Sequence, residues 1–372
     1  MDVLQHDENA VMNLRRLFRQ YGYIQYTMSR FEEYGLYAEN KAFLSSDDII
    51  TFKDAGGKLM ALRPDVTLSI VKSIKDGCNL KKLYYNENVY RPEGGRFREM
   101  MQVGLECIGD IDAYSTGEVL MLAGRSLETL GTSTCLDISH MGFIGGLLKS
   151  EVLAPQLYSA ILRLISEKNV SGIDAVCDLH NLSKAFHERL CALSSLYGPY
   201  DKTIDELRRI SCNDETEAAL LELDSIFRVL DGFGASNGIN LDFSIVNDLS
   251  YYSGLIFQGY IEGIPSKVIS GGRYDALLRK LGKSSGAVGF AVYLNLLERL
   301  APQCRLPEFD TLLLYDDETS SDVLCQAVTL ITSNGESVRV QRHNHGESYD
   351  DFKCGRLMLL SEGRLTELEQ ND

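Results

Sequence analysis

Three short stretches place polar side chains where they could hold a small charged molecule. Asp65 and Thr67 stand two apart in LRPDVT; an extended backbone would put both on one face, where they accept hydrogen bonds from an ammonium. Gln102, Gly104 and Glu106 alternate with Val103, Leu105 and Cys107, so one side of that strand carries an amide, a gap and a carboxylate, and the gap leaves room for a ligand. VNDLSYYSGLIF, residues 246 to 257, sets Tyr251 and Tyr252 before a small residue and a glycine, as a pocket floor would, yet offers only Asn247 and Asp248 upstream. Acceptors, an amide and phenols suit binding. Taken singly, each is equally a polar residue on a solvated sheet face, and one of the two tyrosines must point into a core, because strand neighbours face opposite sides.

The elements that must position these groups follow from the spacing of apolar residues. Val11, Leu14, Leu17, Phe18 and Tyr21 recur at helical spacing and stop at Gly22. Strand-like runs follow at 49–52, 58–63, 82–85 and 100–109. From about 114 to 236 the patterns turn helical, with segments that end on glycine. Strand character returns in LDFSIV and GLIFQGYIEG, before the helix-like YDALLRKLG and an apolar helix expected over about 290–300. From Leu306 the order strand, helix, strand, loop, strand predicts a separate small α/β unit, so the expected division is a core over 1–305 and a reduced C-terminal domain over 306–372.

Composition narrows the function classes. The formal charge of −16, from 37 basic and 53 acidic residues, excludes a global electrostatic grip on nucleic acid, since phosphate binding draws its affinity from clustered Lys and Arg. The tail from Leu306 is more acidic still, with five basic against fourteen acidic residues. No run of 18 apolar residues occurs, and MDVLQHDENA lacks the basic start and apolar core of a signal peptide. A cytoplasmic protein without membrane contact is expected. The nine cysteines include no C-x-x-C pair and are expected to be reduced, buried thiols; His343 and His345, in a polar loop, are expected to be solvated, so no metal or other cofactor is expected.

Four stretches in order resemble the catalytic core of histidyl-tRNA synthetase, a class II aminoacyl-tRNA synthetase fold: TFKDAGGKLMALRPDVT, LYYNENVYRPEGGRFREMMQVGLECIG, VNDLSYYSGLIF, and SGGRYDALLRKLG with GAVGFA. The likeness spans roughly residues 10 to 300. It implies an α+β fold with a six- or seven-stranded antiparallel sheet flanked by helices, a helical insertion over about 146–236, a homodimer and a histidine pocket. Within that pocket the resemblance gives Asp65, Thr67 and Gln102 to the ammonium and Glu106 and Tyr252 to the imidazole, with Tyr251 the weaker tyrosine. The same core recurs in a paralogous family without aminoacylation activity, the regulatory subunits of short-form ATP phosphoribosyltransferase, which opens histidine biosynthesis.

Departures from the synthetase pattern favour the paralogue. Adenylation needs cations around the phosphates, and where synthetases place an arginine before the tyrosine pair this chain has Asn247. Where they place the triphosphate-binding arginine it has Leu296, with Arg299 three residues on. Arg91 and Arg96 remain as a possible remnant anion site, in a hairpin whose loop is about three residues shorter than in synthetases. The resemblance thus implies a non-catalytic subunit that binds histidine, docks on the catalytic subunit of short-form ATP phosphoribosyltransferase in a hetero-octamer, mediates its activation and feedback inhibition, and does not bind tRNA. A divergent histidyl-tRNA synthetase, or a synthetase-like ATP-dependent ligase, is the alternative.

Overall fold

The structure is a computed structural model and describes residues 6–41, 44, 48–77, 79–246, 252, 254–299, 307–344, 349 and 352–368. The chain divides into two compact units, one over His6–Leu300 and one carried by Ala301–Asp372.

The larger unit opens with α1 (His6–Gln20), whose helical spacing buries Val11, Leu14 and Phe18, followed by the short β1 (Ile24–Gln25). Three short elements, β2 (Phe31–Glu33), α2 (Tyr34–Glu39) and β3 (Thr51–Lys53), precede β4 (Leu59–Leu62), and the three strands form a small sheet with β4 in the middle. Next comes α3 (Val66–Ser73). β5 (Lys81–Glu93) and β6 (Arg96–Gly109) make one long hairpin closed by Gly94 and Gly95, both left-handed at φ 59° and 78°, the two-residue turn that only such residues permit without strain.

After α4 (Ala113–Leu130) and β7 (Thr134–His140), a helical insertion runs through α5 (Met141–Leu148), α6 (Pro155–Ser166), α7 (Val170–Leu179), α8 (Lys184–Ser195), the short β8 (Tyr197–Pro199), α9 (Tyr200–Ile210) and α10 (Asp214–Gly232). The chain then returns as β9 (Ile239–Asp242), β10 (Leu255–Ile261), β11 (Ile269–Arg273), α11 (Asp275–Lys280) and β12 (Gly286–Tyr293), and ends the unit in a 3-10 helix over Leu294–Arg299.

Nine strands assemble in the order β1-β5-β6-β12-β11-β10-β7-β9-β8. Six of them, from β5 to β7, are antiparallel throughout; β1 adds in parallel at one edge, and β9 in parallel with β8 antiparallel at the other. The six- or seven-stranded antiparallel sheet is therefore the centre of a wider one. Val103, Leu105 and Cys107 of β6 join α1 and α4 in the main core, while a second core of Val66, Leu68, Ile70, Tyr85, Val89, Tyr274 and Leu277 closes the other face of the sheet.

The C-terminal unit is a four-stranded sheet of order β14-β13-β15-β16, built from β13 (Phe309–Tyr315), α12 (Ser321–Ser333), β14 (Val338–Arg342), β15 (Cys354–Ser361) and β16 (Arg364–Leu368). Sequence patterning predicts the first four elements and misses β16, whose RLTEL has too few apolar residues to announce a strand.

Three other expectations are corrected. The helix expected over 290–300 is a strand as far as Tyr293: GAVGFAVY lies between β6 and β11, and an interior strand buried on both faces reads as a continuous apolar run indistinguishable from a buried helix. LDFSIV is strand only to Asp242, whose carboxylate accepts the Ser244 amide and turns the chain. Of the seven described cysteines, none in a disulfide, Cys107 and Cys177 alone are buried; Cys325 is exposed and the other four are intermediate, while Cys78 and Cys304 lie outside the described residues.

One buried ion pair ties the small sheet to the hairpin. Arg63 is fully buried, donates to the Glu87 carboxylate at 2.8 Å, and also reaches the carbonyls of Ser29 at 2.8 Å and Asn88 at 3.0 Å. Removing one partner of such a pair strands the other charge. Arg63→Leu is expected to lower unfolding free energy by about 3 kcal/mol or more, measured by denaturant unfolding of the whole chain; an unchanged midpoint would mean the pair contributes nothing net.

Candidate functional site

A cavity opens on the face of the sheet opposite α1 and α4. Its walls include Asp65, Thr67, Tyr85, Arg91, Gln102, Glu106, Tyr252 and Tyr274, with Gly271, Gly289 and Tyr293 beneath. Its volume is about 60 Å³. At roughly 10–15 Å³ per enclosed water this is room for about four to six waters, the scale of one small amino acid and far short of a nucleotide.

Glu106 occupies the centre. Its carboxylate accepts from Thr67 Oγ1 at 2.8 Å through Oε1 and from the Tyr274 hydroxyl through Oε2. The strand register explains how it fits. Glu106 stands opposite Gly289 of β12, which stands opposite Gly272 of β11. A Cβ on Gly289 would come within 1.9 Å of Glu106 Oε2, and one on Gly272 within 2.6 Å of the Tyr252 ring, so this row of glycines is a floor that any side chain would fill. Glu106 is 1% exposed. Burial pushes its carboxyl up to about 8, against the pull of the hydrogen bonds from Tyr274 and Thr67, and the nearby Asp65 charge adds to the rise.

Gln102 lies two pairs along β6 from Glu106, 2% exposed, and its Nε2 has no hydrogen-bond partner among the described residues. A buried amide donor without a partner costs free energy of the order of 1–3 kcal/mol, so it marks a place where a ligand acceptor or a water is wanted. Gly104, between them, does not leave an open gap. Tyr85 stands directly opposite on β5, and a Cβ at 104 would lie 2.4 Å from its hydroxyl; the space is taken by that phenol.

Asp65 and Thr67 reach the cavity by a different route from the extended strand expected of them. Asp65 is the N-cap of α3, its Oδ1 accepting from the Leu68 amide at 2.9 Å, and Thr67 sits in the first helical turn. The other Asp65 oxygen meets Arg91 NH2 at 3.4 Å, and Arg91 Nε donates to the Pro64 carbonyl at 2.6 Å. Arg91 therefore faces the cavity already engaged. Arg96 is not brought there: it is exposed, beside the hairpin turn and opposite Glu93.

Tyr252 lines the cavity, whereas Tyr251, Asn247 and Asp248 lie outside the described residues. Leu296 falls in the 3-10 helix and packs, partly buried, against the main core; the Arg299 side chain lies outside the described residues. His343 is within reach of the Tyr349 hydroxyl at 3.3 Å, and His345 lies outside the described residues.

Two residues at the centre were not singled out by sequence. Tyr274 belongs to SGGRYD and Tyr85 to LYYNENVYR, and the pairing that sets Tyr85 opposite Gly104 is known only from the hairpin register.

A family model described as Histidyl-tRNA synthetase matches residues 2–297. Fold and match together define a class II synthetase-type core of the histidyl branch. An ATP phosphoribosyltransferase regulatory subunit from Acetivibrio thermocellus is 30% identical over 333 residues, 85% of this chain and 79% of that one. A crystal structure described as an ATP phosphoribosyltransferase regulatory subunit/histidyl-tRNA synthetase from Bacillus halodurans C superposes with a TM-score of 0.80 at 28% identity, over 96% of each chain. A chain from an ATP phosphoribosyl transferase (HisG:HisZ) complex of Thermotoga maritima shares the fold, at a TM-score of 0.62 and 20% identity, over 79% of this chain and 98% of that one. The chain belongs to the ATP phosphoribosyltransferase regulatory subunit family. Among the described residues no helix is long and apolar enough to cross a membrane.

The raised Glu106 carboxyl gives a stability signature with a fixed sign. The folded state holds a proton that the unfolded chain releases near 4.5, so this stabilisation is complete below about 4.5 and is lost as pH rises to about 8. Compared with Glu106→Gln, the wild type is expected to lose a few kcal/mol of unfolding free energy across that window. Parallel denaturant titrations between pH 4 and 9 test it; a constant difference would mean that Glu106 is ionised in the folded chain.

Proposed function

We propose that this chain is the non-catalytic regulatory subunit of short-form ATP phosphoribosyltransferase and that its cavity binds histidine, the end product of the pathway that enzyme opens. One observation carries the reading: polar groups line an amino-acid-sized cavity, Gln102 and Glu106 among them buried, while the position expected to hold a triphosphate-binding arginine is a leucine packed against the core.

Histidine brings an ammonium, a carboxylate and a ring with two nitrogens. Asp65 and Thr67 offer oxygens at the α3 N-terminus, and Gln102 supplies a side-chain carbonyl for the ammonium and an unpartnered N–H for an acceptor. Glu106 and Tyr252 take the imidazole. A carboxyl raised to about 8 by burial holds its proton more tightly than an ordinary imidazolium does, so transfer to an imidazole beside it is driven by the resulting ion pair, whose attraction restores what desolvation cost Glu106. Arg91 is the cation left for an anionic group. Nucleotide activation needs more: loss of one arginine clamp at a phosphoryl-transfer site costs about 10³-fold or more in rate.

Occupancy of the cavity regulates the catalytic subunit if the two conformations of the complex differ in histidine affinity, as any two-site coupling requires. Membership of the regulatory-subunit family, and the appearance of the same fold in a HisG:HisZ complex, support the choice of partner. A homodimer within a hetero-octamer is the assembly this reading takes.

Two experiments test the proposal. Glu106→Gln is expected to weaken histidine binding by roughly 10- to 100-fold in calorimetry while the fold is retained, the range for a hydrogen bond to a charged group; unchanged affinity places the imidazole elsewhere. The wild type is expected to show no histidine-dependent exchange of pyrophosphate into ATP and to elute with a short-form catalytic subunit as one large assembly. Exchange at an ordinary synthetase rate would restore the enzyme reading, and separate elution at micromolar concentration would remove the partner.

A further inference from the structure

Away from the cavity, in the helical insertion, α7 and α8 pack together and present three donor side chains to one another. Asp174 Oδ1 lies 2.6 Å from His187 Nε2 and 3.4 Å from Cys191 Sγ, and the three donor atoms all fall within 4.8 Å of one another. His187 and Cys191 are four apart on α8, so they share one face, and Asp174 reaches them from the neighbouring helix.

From this cluster we infer that Asp174, His187 and Cys191 form a binding site for one thiophilic divalent cation of the zinc class, with a fourth position open to water. The donor set decides the metal. A thiolate, an imidazole nitrogen and one carboxylate oxygen match the N, S and O ligands of Zn²⁺, whereas Ca²⁺ and Mg²⁺ want oxygen alone. Ligands 2.0–2.3 Å from a tetrahedral metal stand roughly 3.3–3.8 Å from each other. The set meets that spacing if His187 and Asp174 part by under about 1 Å, exchanging their hydrogen bond for two metal bonds, and if His187 and Cys191, whose donor atoms lie within 4.8 Å, draw together by up to about 1 Å.

Access suits an open position: the Asp174 side chain is 52% exposed and His187 26%. The proton count is simple. The Cys191 thiol releases one proton to solvent, while neutral His187 shifts its proton to Nδ1 and turns the Nε2 lone pair to the metal. Carboxylate and thiolate together neutralise the cation's two charges. Without metal the thiol stays protonated, pushed up to about 11 by burial and by the Asp174 hydrogen bond, so Cys191 is no ready nucleophile. A bound ion would fasten α7 to α8 on the insertion surface, independently of the histidine reading.

Cobalt(II) titration of the full chain under reducing conditions tests the site, because a tetrahedral cobalt thiolate gives visible d–d bands and a near-ultraviolet sulfur-to-metal band. One equivalent is expected to saturate the wild type. Cys191→Ser is expected to abolish the sulfur band, and His187→Gln to weaken zinc competition by more than about 100-fold, beyond the loss seen on removing a supporting group. Cys177→Ser, one turn from Asp174 on α7, is expected to keep the band. Circular dichroism of each variant excludes misfolding, and one equivalent of zinc is expected to raise the melting temperature of the wild type and of Cys177→Ser alone. No cobalt bands in the wild type, or bands that persist in both Cys191→Ser and His187→Gln, would overturn the inference.

Discussion

Placing one carboxyl group inside the sheet constrains everything around it. Glu106 sits on a central strand where burying a charge is expensive, and the structure meets that cost in three ways. Gly289 and Gly272 leave space for the carboxylate and the Tyr252 ring; Thr67 and Tyr274 donate to its two oxygens; and the raised carboxyl keeps its proton, so that Glu106 adds no net charge to the interior. The three contributions come from β11 and β12, from the start of α3 and from the residue before α11, which are far apart in sequence. The fold brings them together by setting β12 between β6 and β11 and by turning the chain after β4 into α3 at the Asp65 cap.

The same arrangement separates binding from activation. Holding an amino acid takes a few directed hydrogen bonds in a small space, the role the proposed reading gives to Gln102, Glu106 and their neighbours. Activating it takes concentrated positive charge where phosphates would lie. Leu296 contributes packing in place of charge, and Arg91 is drawn toward Asp65 and the Pro64 carbonyl. On the proposed reading, a synthetase-type core without those cations still registers the presence of its amino acid. Regulation requires no more than that, provided a partner feels the difference.

Much of this was legible in the sequence, and the failures are instructive. Alternation along β6 correctly set Gln102 and Glu106 on one face, because period two is enforced wherever one face of a sheet is buried. Asp65 and Thr67 do line one cavity, but from an N-cap and the first helical turn, which aim at one point as well as an extended strand does. Tyr85 went unseen, since pairing partners across a hairpin are not local in sequence, and it fills the space that Gly104 seemed to leave. The helix expected over about 290–300 begins instead inside β12, because a strand covered on both sides has no alternation to show. Short strands such as β8, β9 and β16 are decided by pairing and not by their own residues.

Infrared difference spectroscopy of the Glu106 carboxyl at neutral pH, assigned by its loss in Glu106→Gln, is the most direct measurement of the central claim. The account predicts a protonated carboxylic acid band in the free chain that converts to carboxylate when histidine is added. A carboxylate already present in the free chain, or an acid band indifferent to saturating histidine, would contradict it.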